Sequence, residues 1–339
     1  MATPMSWLAF GSKLIYSQFF VRIPYPTSDF SGQTVIVTGS NTGLGLEAVR
    51  HLVRLGASRV ILAVRTISKG EAAVVNILAS TKATKDTLEV WSLDMSDYGS
   101  IKAFAARVEK LDRLDAVIQN AGILSSDLKM INGEEAHIVV NLVGAVLLGL
   151  LLLPKLRESG KKFRTRTRLS FVGSDVQYIA AFKEANSTGS LFEALNSQEG
   201  TDMGDRYPTS KLLLLYAVRE IASRSPVTSD SNVIINFMTP GACRSDIFRD
   251  DVSWFKNLAK ELMLTTFART TEVGGRTLVD AVRPDLGVEA HGAFLMDCKV
   301  AVNGPNVESN KGQELAQRFN AELFPKLEGI SPGITKVLR

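Results

Sequence analysis

From residue 34 onward the chain alternates short β-branched or apolar runs with helical stretches, and that rhythm leaves few folds open. Strand-like runs at 34–37, 59–64, 88–93, 116–119, 168–172, 233–237 and 292–296 are separated by helical stretches near 43–55, 68–78, 98–111, 207–223 and 270–282. A long apolar segment follows 119. Strands joined by helices of about 10–15 residues run parallel with right-handed crossovers. The expectation is α/β: a three-layer, doubly wound, mainly parallel sheet of seven strands. The 339 residues divide into an N-terminal amphipathic strap (1–30), one main domain (31–305), and a C-terminal helix and tail (306–339). Polar stretches near 178–206 and 242–268 interrupt the rhythm. Connections of that length are usually functional loops.

Two apolar segments need placing. The first 30 residues carry Trp7, Leu8, Phe10, Leu14, Ile15, Phe19 and Phe20, with Lys13 and Arg22 at the rim. A signal peptide would need a longer apolar block and a small-residue cleavage site, and neither is clear here. Two readings stay open: a strap packed on the domain's own surface, or an interfacial helix touching a membrane or partner. The run 138–153 contains Asn141 and two glycines and precedes Pro154. It is shorter than the ~20 residues of a membrane span. It reads as a helix buried in the domain or against a second subunit, leaving a homodimer open.

The composition, 45% hydrophobic and 22% charged, excludes disordered, collagen-like and coiled-coil chains. A charge of +4 and a pI near 9.0 are too weak for a nucleic-acid footprint but suit an anionic cofactor. Cys243 and Cys298 are too few for a disulfide framework and read as reduced thiols of an intracellular protein. A cytoplasmic location, with the strap allowing peripheral membrane contact, is the corresponding expectation. His51, His137 and His291 are scattered and form no metal-binding or triad spacing, so no metal is expected.

Chemistry concentrates at the carboxyl ends of the predicted strands. The first strand leads into Gly39-Ser40-Asn41-Thr42-Gly43-Leu44-Gly45. Glycines between a strand and a helix allow a tight turn and close approach to a pyrophosphate, which the helix N-terminus then receives. The second strand ends at Val64-Arg65. An acidic residue there would grip ribose hydroxyls and favour NAD; Arg65 offers a guanidinium to a 2′-phosphate, and Lys69 adds a second cation. The pair favours NADP(H).

The pattern TGxxxGxG, Asn120-Ala121-Gly122 after the fourth strand, and Tyr207-x-x-x-Lys211 together resemble the short-chain dehydrogenase/reductase family, over about residues 32–303. The stretches SDFSGQTVIVTGSNTGLGLEA, LAVRTISKGE and VWSLDMSDYGSIKAFA are similar to fungal members tied to secondary metabolism, related to retinol-dehydrogenase-like enzymes. The resemblance implies a Rossmann fold and roles at matching positions. Asp94 contacts adenine; Asn120, Ala121 and Gly122 line the adenosine ribose. Asn141, Ser174, Tyr207 and Lys211 form a catalytic tetrad. Pro240-Gly241 borders the nicotinamide, and Ser245 lies near its carboxamide. Three departures stand out. Gln119 replaces the commoner Asn. Gly173 precedes Ser174 where a second serine is frequent. Ser174 and Tyr207 are far apart in sequence, which leaves Ser170 as a competitor.

Tyr207 and Lys211, one helical turn apart, should share a face. A phenol of pKa ~10 must fall by about 3 units to share its proton near neutrality. Lys211 and a positive nicotinamide ring are expected to supply that fall. The resemblance then implies hydride transfer from NADPH to a carbonyl carbon. Tyr207 acts as general acid, Ser174 holds the carbonyl oxygen, Lys211 holds the ribose, and Asn141 places a water that links Lys211 to solvent. NADP-linked oxidation of a retinol-, steroid- or polyketide-type alcohol, and a dinucleotide-binding protein without redox chemistry, remain alternatives. Cys243 reads as a packed or substrate-lining thiol. Phe182, Leu191, Phe192 and Leu195, with Phe248, Trp254, Phe255, Leu258, Leu262 and Met263, either line a pocket for a small lipophilic or polycyclic substrate or pack their loops down.

Overall fold

The computed structural model describes residues 3–244 and 268–338. Its centre is an eight-stranded sheet in the order β10-β9-β8-β7-β4-β1-β2-β3. The strands are β1 (Thr34–Thr38), β2 (Arg59–Val64), β3 (Leu88–Ser92), β4 (Ala116–Gln119), β7 (Thr167–Val172), β8 (Val233–Thr239), β9 (Phe294–Met296) and β10 (Lys299–Ala301). β5 (Met130–Ile131) and β6 (Glu134–Glu135) form a separate hairpin. Every pairing in the large sheet is parallel except β9 with β10. That antiparallel edge strand is the one addition to the seven expected. Its three residues are largely exposed and carry no periodicity to read. The inner strands β1, β4, β7 and β8 are buried along their whole length. Burial on both faces is why they read as continuous apolar runs.

One face is covered by α2 (Gly43–Arg54), α3 (Ile67–Ser80) and α8 (Thr271–Asp280). The other is covered by α4 (Tyr98–Glu109), α5 (Ala145–Phe163), α7 (Met203–Arg224) and α10 (Asn310–Ile330). In α2, Gly45, Ala48, Val49 and Leu52 are buried, the i, i+3, i+4, i+7 stripe of a helix on a sheet. The apolar run enters α5 through a wide π-helical turn, Ile138–Gly144. Of the most apolar 18-residue stretch of the helix spanning both, 89% is buried inside the protein. It passes through Pro154 rather than ending there. Proline costs ~3 kcal/mol within a helix, but Leu150, Leu152, Leu153 and Leu156, all wholly buried, hold the segment in place.

The N-terminal segment forms α1 (Trp7–Phe20), capped by Ser6. It packs through Phe10 and Ser17 while Trp7, Leu8, Tyr16 and Phe20 stay mostly exposed. Met5 N–H donates to Tyr178 O at 2.8 Å, and Lys13 Nζ to the Tyr178 hydroxyl at 2.7 Å. Farther along, Arg269 Nη2 reaches Ser17 O (2.7 Å) and Asp297 Oδ1 (2.8 Å).

The interruption between β7 and α7 is a folded segment containing α6 (Leu191–Asn196). Arg318 of α10 donates to the carbonyls of Ala185, Ser187 and Gly189. Glu322 accepts from Ser190 Oγ and from the N–H groups of Leu191 and Phe192. Phe182, Leu191, Phe192 and Leu195 are buried, and Phe192 stacks on Phe319 at 6.0 Å. Of the two readings of these side chains, packing is the one realised. Losing a helix cap costs ~1 kcal/mol or more. Glu322→Ala is therefore expected to speed proteolysis between 183 and 202 about tenfold with cofactor affinity unchanged, as read by timed digestion and NADPH fluorescence.

Candidate active site

The carboxyl ends of β1 and β4 lie side by side, where the strand order reverses, and ligands of such sheets bind there. Asn120 Nδ2 donates to Thr38 O (2.9 Å) and Gly39 O (3.1 Å), and Ala121 N–H to Thr38 Oγ1 (2.9 Å). These bonds lock the glycine turn to the β4 end. Gly39 has φ +64°, and a Cβ on it would stand 2.9 Å from Ala121 Cα. A Cβ on Gly45 would meet Asn120 Nδ2 at 2.6 Å. By contrast, Gly43 has no atom within 4 Å of its Cβ position. The turn is thus closed behind and open in front of the α2 N-terminus, the shape a pyrophosphate requires. Asn41, Thr42 and Leu44 fill the rest of this turn, each half-buried.

Arg65 and Lys69 are exposed at the β2–α3 junction, with no ion pair among the described residues. Asp94 Oδ1 accepts from Ser96 N (2.9 Å) and Ser96 Oγ (2.6 Å), which fixes the carboxylate at the end of β3. These residues fit a phosphorylated dinucleotide: a cradle for pyrophosphate, exposed cations for a 2′-phosphate and a fixed acceptor for adenine.

On the other side of β4, Ser174 ends the extension of β7, and Tyr207 and Lys211 project from α7. The Ser174 hydroxyl stands near enough to the Tyr207 phenol to favour its charged form, and Lys211 Nζ lies 5.6 Å from the Tyr207 ring centre. Lys211 Nζ donates to Val172 O at 2.9 Å. Ser170 is wholly buried inside β7, so Ser174 is the serine that meets Tyr207. Asn141, on the π-helical turn, accepts from Ile123 N–H (2.8 Å), donates to Ile123 O (2.9 Å) and reaches Ser210 Oγ (3.2 Å). Its amide is spent holding the irregular segment that follows Gly122. A Cβ on Gly122 would lie 3.1 Å from Asn141 Oδ1 and 3.6 Å from Lys211 Nζ, so both flank that residue.

Burial pulls Lys211 down to about 8. Tyr207 moves the other way from the fall expected above: burial pushes its phenol up, the charge of Asp175 adds to this, and the Ser174 bond opposes it. Lys211, still a cation at neutral pH, does not offset the desolvation of the phenoxide. In the chain alone, Tyr207 holds its proton.

Supports absent from the motif surround Tyr207. Arg206, wholly buried, pairs with Glu184 (3.0 Å) and approaches Glu135 (3.8 Å). Glu135 pairs with His137 at 2.7 Å, and the His137 ring stands edge-on to Tyr207 at 6.4 Å. Spacing hides this cluster, since its members come from three segments. His51 pairs with Glu272, and His291 Nε2 meets Ala222 O. Cys243 is buried, donates weakly to Pro240 O (3.4 Å) and is pushed by burial up to about 12, a packed rather than reactive thiol. Pro240 and Gly241 follow β8 under Arg269 Nη1, which bonds Pro240 O at 3.3 Å. Ser245 and the apolar residues 248–263 lie outside the described residues.

The Gly173 departure has a steric cause. A Cβ there would stand 1.8 Å from Phe237 Cζ. Gly173→Ser is expected to cost about 2–3 kcal/mol of stability, as overpacking does. Phe237→Ala in the same chain should recover part of it, read from urea unfolding. Gln119 is buried with no hydrogen-bond partner among the described residues at either end of its amide.

A family model described as short chain dehydrogenase matches residues 33–164. The short chain dehydrogenase/reductase dmxR8 of Cryptosporiopsis sp. (strain 8999) is 41% identical over 325 residues, covering 95% of this chain and 98% of its own. The short-chain dehydrogenase anuD of Penicillium roqueforti is 40% identical over 339 residues, covering 98% and 86%. Among solved structures, the NADPH-bound carbonyl reductase from chicken fatty liver superposes with a TM-score of 0.59 at 22% identity, covering 84% of this chain and 98% of its own. The fold and site define a dinucleotide-crevice oxidoreductase. The chain belongs to the short-chain dehydrogenase/reductase family.

Proposed function

We propose that this protein is an NADPH-dependent reductase of a carbonyl group on a lipophilic or polycyclic small molecule. The carrying observation is the placement of the Tyr207 phenol beside Lys211 and near Ser174 at the carboxyl end of the sheet. General acid catalysis is best with a pKa near the working pH, so the reaction requires the bound cofactor and substrate to bring this phenol down. Arg65 and Lys69 support NADP(H) over NAD(H). NADPH, bound in the crevice, supplies the hydride. Ser174 Oγ holds the carbonyl oxygen, Tyr207 gives it a proton, and Lys211, fixed by Val172 O, keeps N–H donors for a ribose. Asn141 keeps the 121–123 backbone in place beside them. Half-buried Ala121, Ile123 and Val176 border the polar groups and suit an apolar substrate.

Purified protein with NADPH and a panel of bicyclic and polycyclic ketones is expected to show ketone-dependent loss of absorbance at the NADPH band. Tight NADPH binding with no turnover by any ketone, or by any matching alcohol with NADP⁺, would instead support a dinucleotide-binding protein.

A further inference from the structure

The outer face of α1 inverts the usual arrangement of a helix on a protein surface, which buries an apolar stripe and turns polar side chains to water. In α1 the polar groups turn inward. Ser17 is buried against Arg269 and Asp297. Lys13 Nζ lies 4.4 Å over the Tyr178 ring and donates to its hydroxyl. Outward, Leu8 is 83% exposed, Phe20 74% and Trp7 73%, with Ile15 and Tyr16 also exposed. Leu8, Ser12 and Ile15 fall at i, i+4 and i+7, one face of a helix. The Ser12 hydroxyl bonds back to Leu8 O at 2.9 Å, so even this polar residue has its hydrogen bond inside the helix. The apolar surface continues past α1, which touches both ends of the edge strand β10. Ser17 Oγ donates to Asp297 Oδ1 just before that strand. Lys13 meets Tyr178, whose hydroxyl donates to Val302 O just after it. Val300 and Val302 are both exposed. Single exposed apolar residues are ordinary; a contiguous group marks a contact surface.

Charge decides what covers it. Residues 1–28 hold Lys13 and Arg22 and no acid; Asp29 is the first. Arg22 and Lys299 of β10 are exposed, with no ion pair among the described residues. A second copy of the chain would bring the same acid-free strip and leave Arg22 unanswered, whereas a layer of anionic headgroups supplies its counter-charge. Trp and Tyr, with an apolar body and a polar tip, settle at the headgroup level of a bilayer. We infer that α1 is an interfacial helix that lies in the surface of an anionic membrane. Its face centred on Leu8 and Ile15 enters the acyl boundary, and Trp7, Tyr16 and Arg22 sit among the headgroups. Because its inner side is bonded to the domain, this contact docks the folded protein rather than a loose tail. A Cβ on Gly241 would stand 2.8 Å from Gln18 Nε2, so the docked protein turns the β8 end of its crevice toward the lipid. The inference does not use the reductase assignment.

The purified protein is mixed with vesicles of phosphatidylcholine alone, or of phosphatidylcholine and phosphatidylserine in equal parts, and the bound fraction is read by flotation. Wild type is expected to float with the mixed vesicles. Leu8→Ser with Ile15→Ser should weaken the partition about tenfold on both vesicle types. Arg22→Gln should weaken it about fivefold on the mixed vesicles only, and added salt should mimic that loss. The replaced side chains are exposed, so thermal unfolding of each variant should match wild type. In the unaltered protein, brominated acyl chains should quench tryptophan emission, and Trp7→Phe should remove that quenching. Wild type that does not float with the mixed vesicles, a serine variant bound as tightly as wild type, or quenching that survives Trp7→Phe overturns the proposal. A lipid-free dimer in light scattering that the same serine changes dissolve, with no vesicle binding, gives the face to a second copy and overturns it equally.

Discussion

Tyr207→Phe is expected to lower kcat for ketone reduction by about 10³-fold, the usual scale for losing a positioned general acid. NADPH affinity should stay within about threefold, because the change removes one oxygen and leaves the ring against His137. The nearest hydroxyl, Ser174, has an ordinary pKa far too high to replace the phenol as an acid, so no neighbour can restore the rate. Steady-state kinetics with NADPH fluorescence titration separate the two quantities. Retained turnover would place the proton source elsewhere. The complementary change Lys211→Met removes a cation that burial already holds near 8, so its loss should weigh more on wild-type activity measured below that pH than above it.

The second large effect concerns cofactor choice. Arg65→Asp should weaken NADPH binding by about 10²–10³-fold while changing NADH binding little. A charge-assisted bond of ~1.5–3 kcal/mol is lost, and a repulsion against the 2′-phosphate replaces it. Arg65 is exposed, so the substitution threatens no core contact and the readout is one of binding alone. Lys69→Ala, a point charge without the planar fork, should cost less. Equal losses for the two nucleotides, measured by calorimetry, would remove the clamp.

Much of the sheet is visible in the residues themselves. Buried parallel strands must be apolar on both faces, so 59–64 and 116–119 mark β2 and β4 at their true ends. The glycine turn is equally visible, since only glycine suits Gly39 beside Ala121. What local pattern cannot show is what depends on distant partners. β10 is an exposed three-residue edge that exists because β9 turns back on itself. The clamp of Arg318 and Glu322 on the 183–196 segment joins residues about 130 positions apart. The opposite sign of the Tyr207 shift arises because spacing reveals Lys211 but not the depth of the phenol or its neighbour Asp175. A carboxyl directly after the serine, between a buried strand and Val176, was the one available signal for that neighbour.

The contact of α1 with the far edge of the sheet also bears on how the chain is made. Ser17 Oγ donates to Asp297, 280 positions later. At about 5–20 residues per second of synthesis, that acceptor emerges roughly 15–55 s after the serine. Throughout that interval Phe10 and Ser17, the side chains that α1 buries, lack their final docking surface on the nascent polypeptide, an opening for chaperone capture. Grafting a bulky tag onto this end would compete with a late step of maturation rather than decorate an inert tail.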